Sequence, residues 1–177
     1  MRTPLVRSAV AQDASELHAI AAVTFPLACP EGTPAEAIAN FVSTHLSEHR
    51  FAEYLSDPKR DILIVEVDSL PAGYSMLVAE PSIDPEVTSV IATESAIELS
   101  KLYLLPGAHG SGAATALMSA TIERARQRGA DAVWLGVNQR NARANRFYEK
   151  GGFENVGTKH FMVGGKFEED FVRVRSI

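Results

Sequence analysis

The stretch Leu102-Tyr103-Leu104-Leu105-Pro106-Gly107-Ala108-His109-Gly110-Ser111-Gly112-Ala113-Ala114 decides how the chain is read. A strand expected over residues 96–105 is closed by Pro106-Gly107 and runs into a glycine-rich turn, inside which a helix begins. Gly110 and Gly112 remove side chains where a ligand could approach the backbone. The N–H groups of a first helical turn have no intrahelical acceptor, and the helix dipole favours negative charge there, so the turn suits a pyrophosphate. A tight strand-to-helix turn without a ligand is the plainer reading of the same residues. No Gly-Lys-Ser/Thr follows, which excludes a Walker loop, and the third glycine of a dinucleotide fingerprint is missing.

Downstream, residues 113–128 form a helix with an apolar stripe at Ala114, Leu117, Met118, Thr121, Ile122 and Ala125. Gly129 stops it, and Arg124, Arg126 and Arg128 suit the dipole. A buried-type strand over 132–137 and a helix over 141–150 follow, the helix ending at Gly151-Gly152. In that helix Asn141, Ala144 and Tyr148 share one face, with about 10 Å along the axis between the first and last. The small Ala144 between two polar-tipped residues leaves room for an elongated ligand. Alternatively, Asn141 is a helix cap and Phe147 and Tyr148 are core anchors. Residues 153–177 read as a terminal hairpin.

Upstream, residues 5–10 form a short strand, and Asp13 caps a helix carrying Leu17, Ile20 and Ala21. Thr24-Phe25-Pro26 ends that helix and opens a loop over 26–34. Thr33-Pro34 starts a second helix running to about His49, and a third short piece reaches Leu55 before Asp57-Pro58. Strands over 62–67 and 73–79 pair across a turn at 68–71. The order β-α-α-β-β-β-α-β-α-β-β predicts one α/β domain spanning residues 1–177, with a central mixed, mostly antiparallel sheet flanked by helices.

Of the 177 residues, 46% are hydrophobic and 22% charged, which places the chain among ordinary globular proteins. The net charge of −5, with no basic run or arm, disfavours nucleic acid or an anionic membrane as partner. Cys29 is the only cysteine, so neither an intrachain disulfide nor a cysteine metal site can form. No segment approaches the roughly 20 apolar residues of a membrane-spanning helix, and Met1-Arg2-Thr3-Pro4 opens into polar sequence, so a cytoplasmic protein is expected. His45-Leu46-Ser47-Glu48-His49 matches the inverted zinc-peptidase pattern, in which two histidines at i and i+4 share a metal. That pattern lacks a downstream acidic ligand.

Together, the two glycine-flanked segments resemble the GNAT acetyltransferase superfamily. Its second motif is matched at Asn141, Ala144, Phe147, Tyr148, Lys150, Gly152 and Phe153. The first is matched at Gly112 and Ala114, with His109 where the family carries Gln or Arg. The resemblance covers residues 97–177, with 6–25 as the opening strand and helix. Thr24-Phe25, Glu98-Leu99-Ser100-Lys101-Leu102-Tyr103-Leu104, Trp134-Leu135-Gly136-Val137 and Gly157-Thr158-Lys159-His160-Phe161 are similar to bacterial polyamine acetyltransferases of the PaiA kind.

The resemblance implies acetyl-CoA as cosubstrate, no metal, and a small-molecule primary amine as acceptor, with a polyamine as one such amine. It is compatible with a homodimer. Other roles for such a domain are acyl-CoA sensing without turnover, or acetylation of a protein N-terminus or lysine. By resemblance, the turn formed by His109, Gly110, Ser111, Gly112, Ala113 and Ala114 binds the pyrophosphate. The segment Leu102, Tyr103, Leu104 lies along the pantetheine arm, paired through the backbone of Leu102 and Leu104. Asn141 helps hold that arm. Lys150, in the last turn of its helix, could reach a CoA phosphate, though a lysine there suits the helix dipole in any case.

An ammonium near pKa 10.4 cannot attack a thioester, and removing its proton at pH 7 costs about 4–5 kcal/mol. The site must therefore supply a base or a proton path. Glu98 is the choice of base, directly or through water, since even spacing places it on the strand face of Ser100, Leu102 and Leu104; an exposed strand-end carboxylate is the plainer reading. Tyr103 points the other way and packs. Tyr148, a phenol still protonated at neutral pH, fits as general acid for the departing thiolate. Glu31, Glu36, Glu48, Glu168, Glu169 and Asp170 are candidates to hold a cationic acceptor.

Overall fold

The computed structural model describes residues 3–163 and 165–177; residues 1, 2 and 164 of the expected domain span lie outside them. Seven strands form one sheet: β1 (Leu5–Ser8), β2 (Arg60–Val67), β3 (Leu70–Val78), β4 (Ala96–Leu104), β5 (Ala132–Asn138), β6 (Glu154–Val163) and β7 (Lys166–Ser176). Their spatial order is β1-β2-β3-β4-β5-β7-β6. Every neighbouring pair is antiparallel except β4 and β5. The helices are α1 (Ala14–Ala28), α2 (Ala35–His45), α3 (Glu48–Ser56), the single turn α4 (Pro85–Thr88), α5 (Ala113–Gln127) and α6 (Ala142–Lys150). None of the described helices is long and apolar enough to cross a membrane.

Alternation along β2 separates the layers. Ile62 and Ile64 pack with Leu17, Phe25 and Phe51 under α1 and α3, while Leu63 and Val65 pack with Ala113 and Leu117 of α5 on the other face. α6 joins α5 on that second face, through Val133, Leu135 and Phe153.

Several local expectations are corrected. α1 continues through Pro26 to Ala28, because a proline in the last turn sacrifices only one hydrogen bond of the helix. Asp13 does not cap α1; its carboxylate accepts from Val10 N–H and pairs with Arg7. Thr33 does not cap α2 either, and its hydroxyl donates to Pro30 O. The helix expected to reach His49 breaks at Leu46-Ser47, where Ser47 Oγ caps α3 by accepting from Arg50 N–H at 3.1 Å. His45 and His49 therefore sit on different helices, and His49 turns to Glu53 at 3.3 Å. Among the described residues no group of three or more His, Cys, Asp or Glu forms a metal-capable cluster. Asp84-Pro85, a cap followed by a first-turn proline, starts the unforeseen α4.

Candidate active site

β4 and β5 are the one parallel pair, and they pair only where Ala96, Ile97 and Glu98 face Ala132, Val133 and Trp134. Beyond that point β4 continues to Leu104 and β5 to Asn138 without bonding to each other. The chain thus opens a wedge in the middle of its own sheet. Leu105 N–H donates to Ala72 O at 2.8 Å, toward β3. Strand alternation then turns the N–H and C=O of Leu102 and Leu104 toward the wedge, where no strand receives them.

A bulge re-aims the side chains of β4. Met76 pairs with Lys101 but Leu77 with Leu99, so Ser100 is left over and the alternation slips by one residue. Glu98 consequently shares its face with Lys101 and Tyr103, on the side of α1–α3, while Leu99, Leu102 and Leu104 face α5. This corrects the strict even spacing that grouped Glu98 with Leu102 and Leu104. Tyr103 does face away from Leu102, as expected; its ring packs 5.9 Å from that of Tyr74 and its remaining surface lines the cavity.

At the mouth of the wedge, Gly110 (φ 81°) and Gly112 (φ 84°) adopt left-handed backbone, and a Cβ at either would meet nothing within 4 Å. Among the described residues no bond within the chain engages the N–H groups of Gly110, Gly112, Ala114 or Thr115. These four donors at the head of α5 form an open cradle that fits a pyrophosphate. Ser111 Oγ accepts from Ala113 N–H at 3.2 Å and Ala113's methyl is buried, so Ser111 and Ala113 shape the turn rather than face outward. His109 stands exposed beside the cradle.

The wedge continues into a cavity of about 310 Å³ bounded by β4, β5, α1, α2 and the β6–β7 hairpin. Tyr148 projects into it from α6, half-buried against the rings of Phe147 and Phe153 at 5.5 and 5.8 Å. Desolvation holds its phenol well above the usual tyrosine range. Asn141 also lines the cavity and caps α6, its side-chain oxygen accepting from Ala144 N–H at 3.1 Å. Lys150 ends α6, exposed and away from the cavity.

The acceptor side of the cavity is rich in charge. Glu98, Glu168 and Asp170 line it with Lys101 and Lys159. Burial pushes Glu98 up against the pull of Lys101, and lowers Lys101 to about 8. Burial likewise raises Asp170 to about 6, opposed by Lys159. Glu168 is held low by a bidentate contact from Arg140 at 2.7 and 2.8 Å. Glu31, Glu36, Glu48 and Glu169 stand exposed outside this cavity.

Sequence reasoning missed one supporting group. Arg173 of β7, only 3% exposed, donates to Asn145 Oδ1, Phe153 O and Glu149, while Asn145 donates to the carbonyls of Asn138 and Asn141. This network ties the end of β5 to the start of α6 and so fixes Asn141 and Tyr148 beside the wedge. No local motif announces it, because its partners lie 20 or more residues from Arg173 in sequence.

The chain matches the Acetyltransferase (GNAT) family over residues 20–153. It is 51% identical, over 165 residues, to an N-acetyltransferase of Mycobacterium tuberculosis (strain H37Rv) that is named as uncharacterised, covering 93% of this chain and 98% of the relative. Its fold is shared with the PaiA N-acetyltransferase of Thermoplasma acidophilum, solved in complex with coenzyme A, at TM-score 0.77 and 19% identity over 99% of both chains. A GCN5-related N-acetyltransferase from Rhodopseudomonas palustris aligns at TM-score 0.74 and 21% identity, over 100% of this chain and 98% of the other. Together with the open wedge and the donor-rich start of α5, these matches show that the chain belongs to the GNAT family as an acetyl-CoA-dependent N-acetyltransferase.

Proposed function

We propose that the acceptor is the primary amine of a small cationic molecule, with a polyamine such as spermidine as the leading candidate. The observation that carries this reading is the cavity beside the wedge, where Glu98 and Asp170 make no hydrogen bond to any described residue. Two such carboxylates favour a cation, and the rings of Phe25, Phe41 and Phe161 that line the same cavity offer it aromatic faces. A cytoplasmic setting suits this activity and the free Cys29.

The remaining roles follow from placement. The N–H groups of Gly110, Gly112, Ala114 and Thr115 hold the pyrophosphate, and the exposed backbone of Leu102 and Leu104 pairs with the pantetheine arm, which Asn141 borders. Acetyl-CoA supplies an activated acyl group as its thioester. Tyr148 holds a proton at its hydroxyl for the leaving sulfur, and the cavity carboxylates receive the ammonium. An acetyl-CoA consumption screen across amine classes, with spermidine first, tests the acceptor. Turnover with spermidine above other amines is expected; turnover confined to peptides or to anionic amino acids would replace this reading.

A further inference from the structure

We propose that Asp170, rather than Glu98, is the group that takes the proton from the acceptor ammonium. This rests on the amine reading above and deepens it. Glu98 lies in register with Trp134, where β4 and β5 are still bonded and the indole is buried beside it. Asp170 lies in register with Asn138, at the end of β5 that has parted from β4, and hence beside the gap in which the acyl group must lie. Between these two levels stands Gly136, which lines the cavity. A Cβ built there would come within 3.4 Å of Asp170 Oδ2 and 3.3 Å of the Lys159 stem. The carboxylate of Asp170 and the stem of Lys159 therefore stand over Gly136, in the cavity that continues from the gap.

Asp170 is 8% exposed, and among the described residues its oxygens accept no hydrogen bond. Its oxygens keep access to the cavity, where water or a cation can supply the hydrogen bonds that the chain does not. The charged and titratable groups lining the cavity around it are Lys159 from β6, Glu168 from β7, Glu98, Lys101 and Tyr103 from β4, Tyr148 from α6, and Cys29 at the end of α1. Glu168 is already held by Arg140. Glu98 has three cations acting on it, Lys101, Lys159 and Arg60, whereas Asp170 has Lys159 alone. Its titration near pH 6 leaves it ionised, yet still basic, at neutral pH.

The proton balance closes. Asp170 takes one proton from the ammonium and passes it to solvent at the cavity mouth. The freed lone pair forms the C–N bond to the thioester carbonyl carbon, and the C–S bond breaks. Tyr148 protonates the sulfur, and the surplus proton on nitrogen makes good that loss.

The test uses the full chain, acetyl-CoA, and spermidine and n-butylamine as probe amines, with thiol release followed from pH 5 to 10. In the wild type, kcat/KM should be flat from about pH 7 toward the amine pKa and fall on an acid limb near pH 6. In Asp170→Asn it should drop at least about a hundredfold at pH 7 and climb tenfold per pH unit toward the amine pKa, because only free amine then reacts. CoA affinity should stay within threefold. Glu98→Gln should keep the acid limb. Asp170→Asn should also raise the melting temperature at pH 7.5. That gain should fade as pH falls toward 4, since the carboxyl it removes has a folded pKa above its unfolded one. If Asp170→Asn does not fold, Asp170→Glu should keep the acid limb with lower kcat; loss of the limb there counts against the assignment. An active wild type with Asp170→Asn within threefold of it at every pH, or an acid limb lost in Glu98→Gln, overturns the Asp170 assignment alone. A wild type inert toward both amines overturns the acceptor reading and this assignment with it.

Discussion

Burial keeps the Tyr148 phenol protonated far into the alkaline range, and among the described residues its hydroxyl has no partner. A donor held ready in a desolvated site, with nothing else to bond, matters most when charge develops opposite it. Tyr148→Phe is therefore expected to lower kcat by about a hundredfold while the dissociation constant of acetyl-CoA changes less than threefold. Single-turnover kinetics beside calorimetry separate the two; an effect confined to KM makes Tyr148 a packing residue. Tyr148 was legible because the Asn141-to-Phe153 motif is contiguous. Asp170 was legible only as one of six scattered carboxylates. What distinguishes it is the register that sets it over Gly136, and that depends on a strand pairing between residues 32 positions apart.

At the scale of elements, punctuation residues read correctly where they act alone and failed where they compete. Gly129 and Gly151-Gly152 end their helices as expected, whereas Thr33 and Asp13 found other partners and left their helix starts uncapped. Ser47 is a good cap hidden inside an otherwise helical stretch, so the α2–α3 break was missed. The bulge at Ser100 has no sequence signature at all, and it alone decides that Glu98 faces the acceptor side. The head of α5 gives the sharpest element-scale prediction. Gly112→Asn and Gly112→Asp both force a side chain into left-handed backbone at about the same cost, roughly 1 kcal/mol. Only the aspartate adds a charge against the pyrophosphate. Calorimetry with CoA should show the aspartate variant at least tenfold weaker than the asparagine variant at about 0.1 M salt. Equal affinities would place the pyrophosphate elsewhere.

At the scale of the molecule, 22 acidic against 17 basic side chains give a net charge of −5, and the cavity holds two carboxylates, Glu98 and Asp170, with no ion-pair partner within 4 Å among the described residues. The fold class and the family were legible because both glycine-rich segments flank the wedge; the acceptor was not, because α1, α2 and the β6–β7 hairpin enclose it without a motif. Salt separates the two contributions to acceptor binding. On the polyamine reading, the reacting nitrogen would be desolvated beside Asp170 and Glu98 and little screened, whereas the distal nitrogens would stay near the exposed mouth. There attraction is screened over a Debye length of about 10 Å at 0.1 M salt. Raising salt from about 0.05 to 0.3 M should therefore raise KM for spermidine severalfold with kcat nearly constant, while KM for n-butylamine, which lacks distal charges, moves less. Steady-state kinetics at fixed pH with saturating acetyl-CoA measures both. A spermidine KM indifferent to salt means that the distal nitrogens touch nothing charged, and the polyamine reading fails. Preference for an amine bearing a carboxylate would instead give Lys101 and Lys159 the acceptor-binding role, since they are the two cations in the same cavity. Neither result touches acetyl transfer from acetyl-CoA, which rests on the wedge, the α5 cradle and the family.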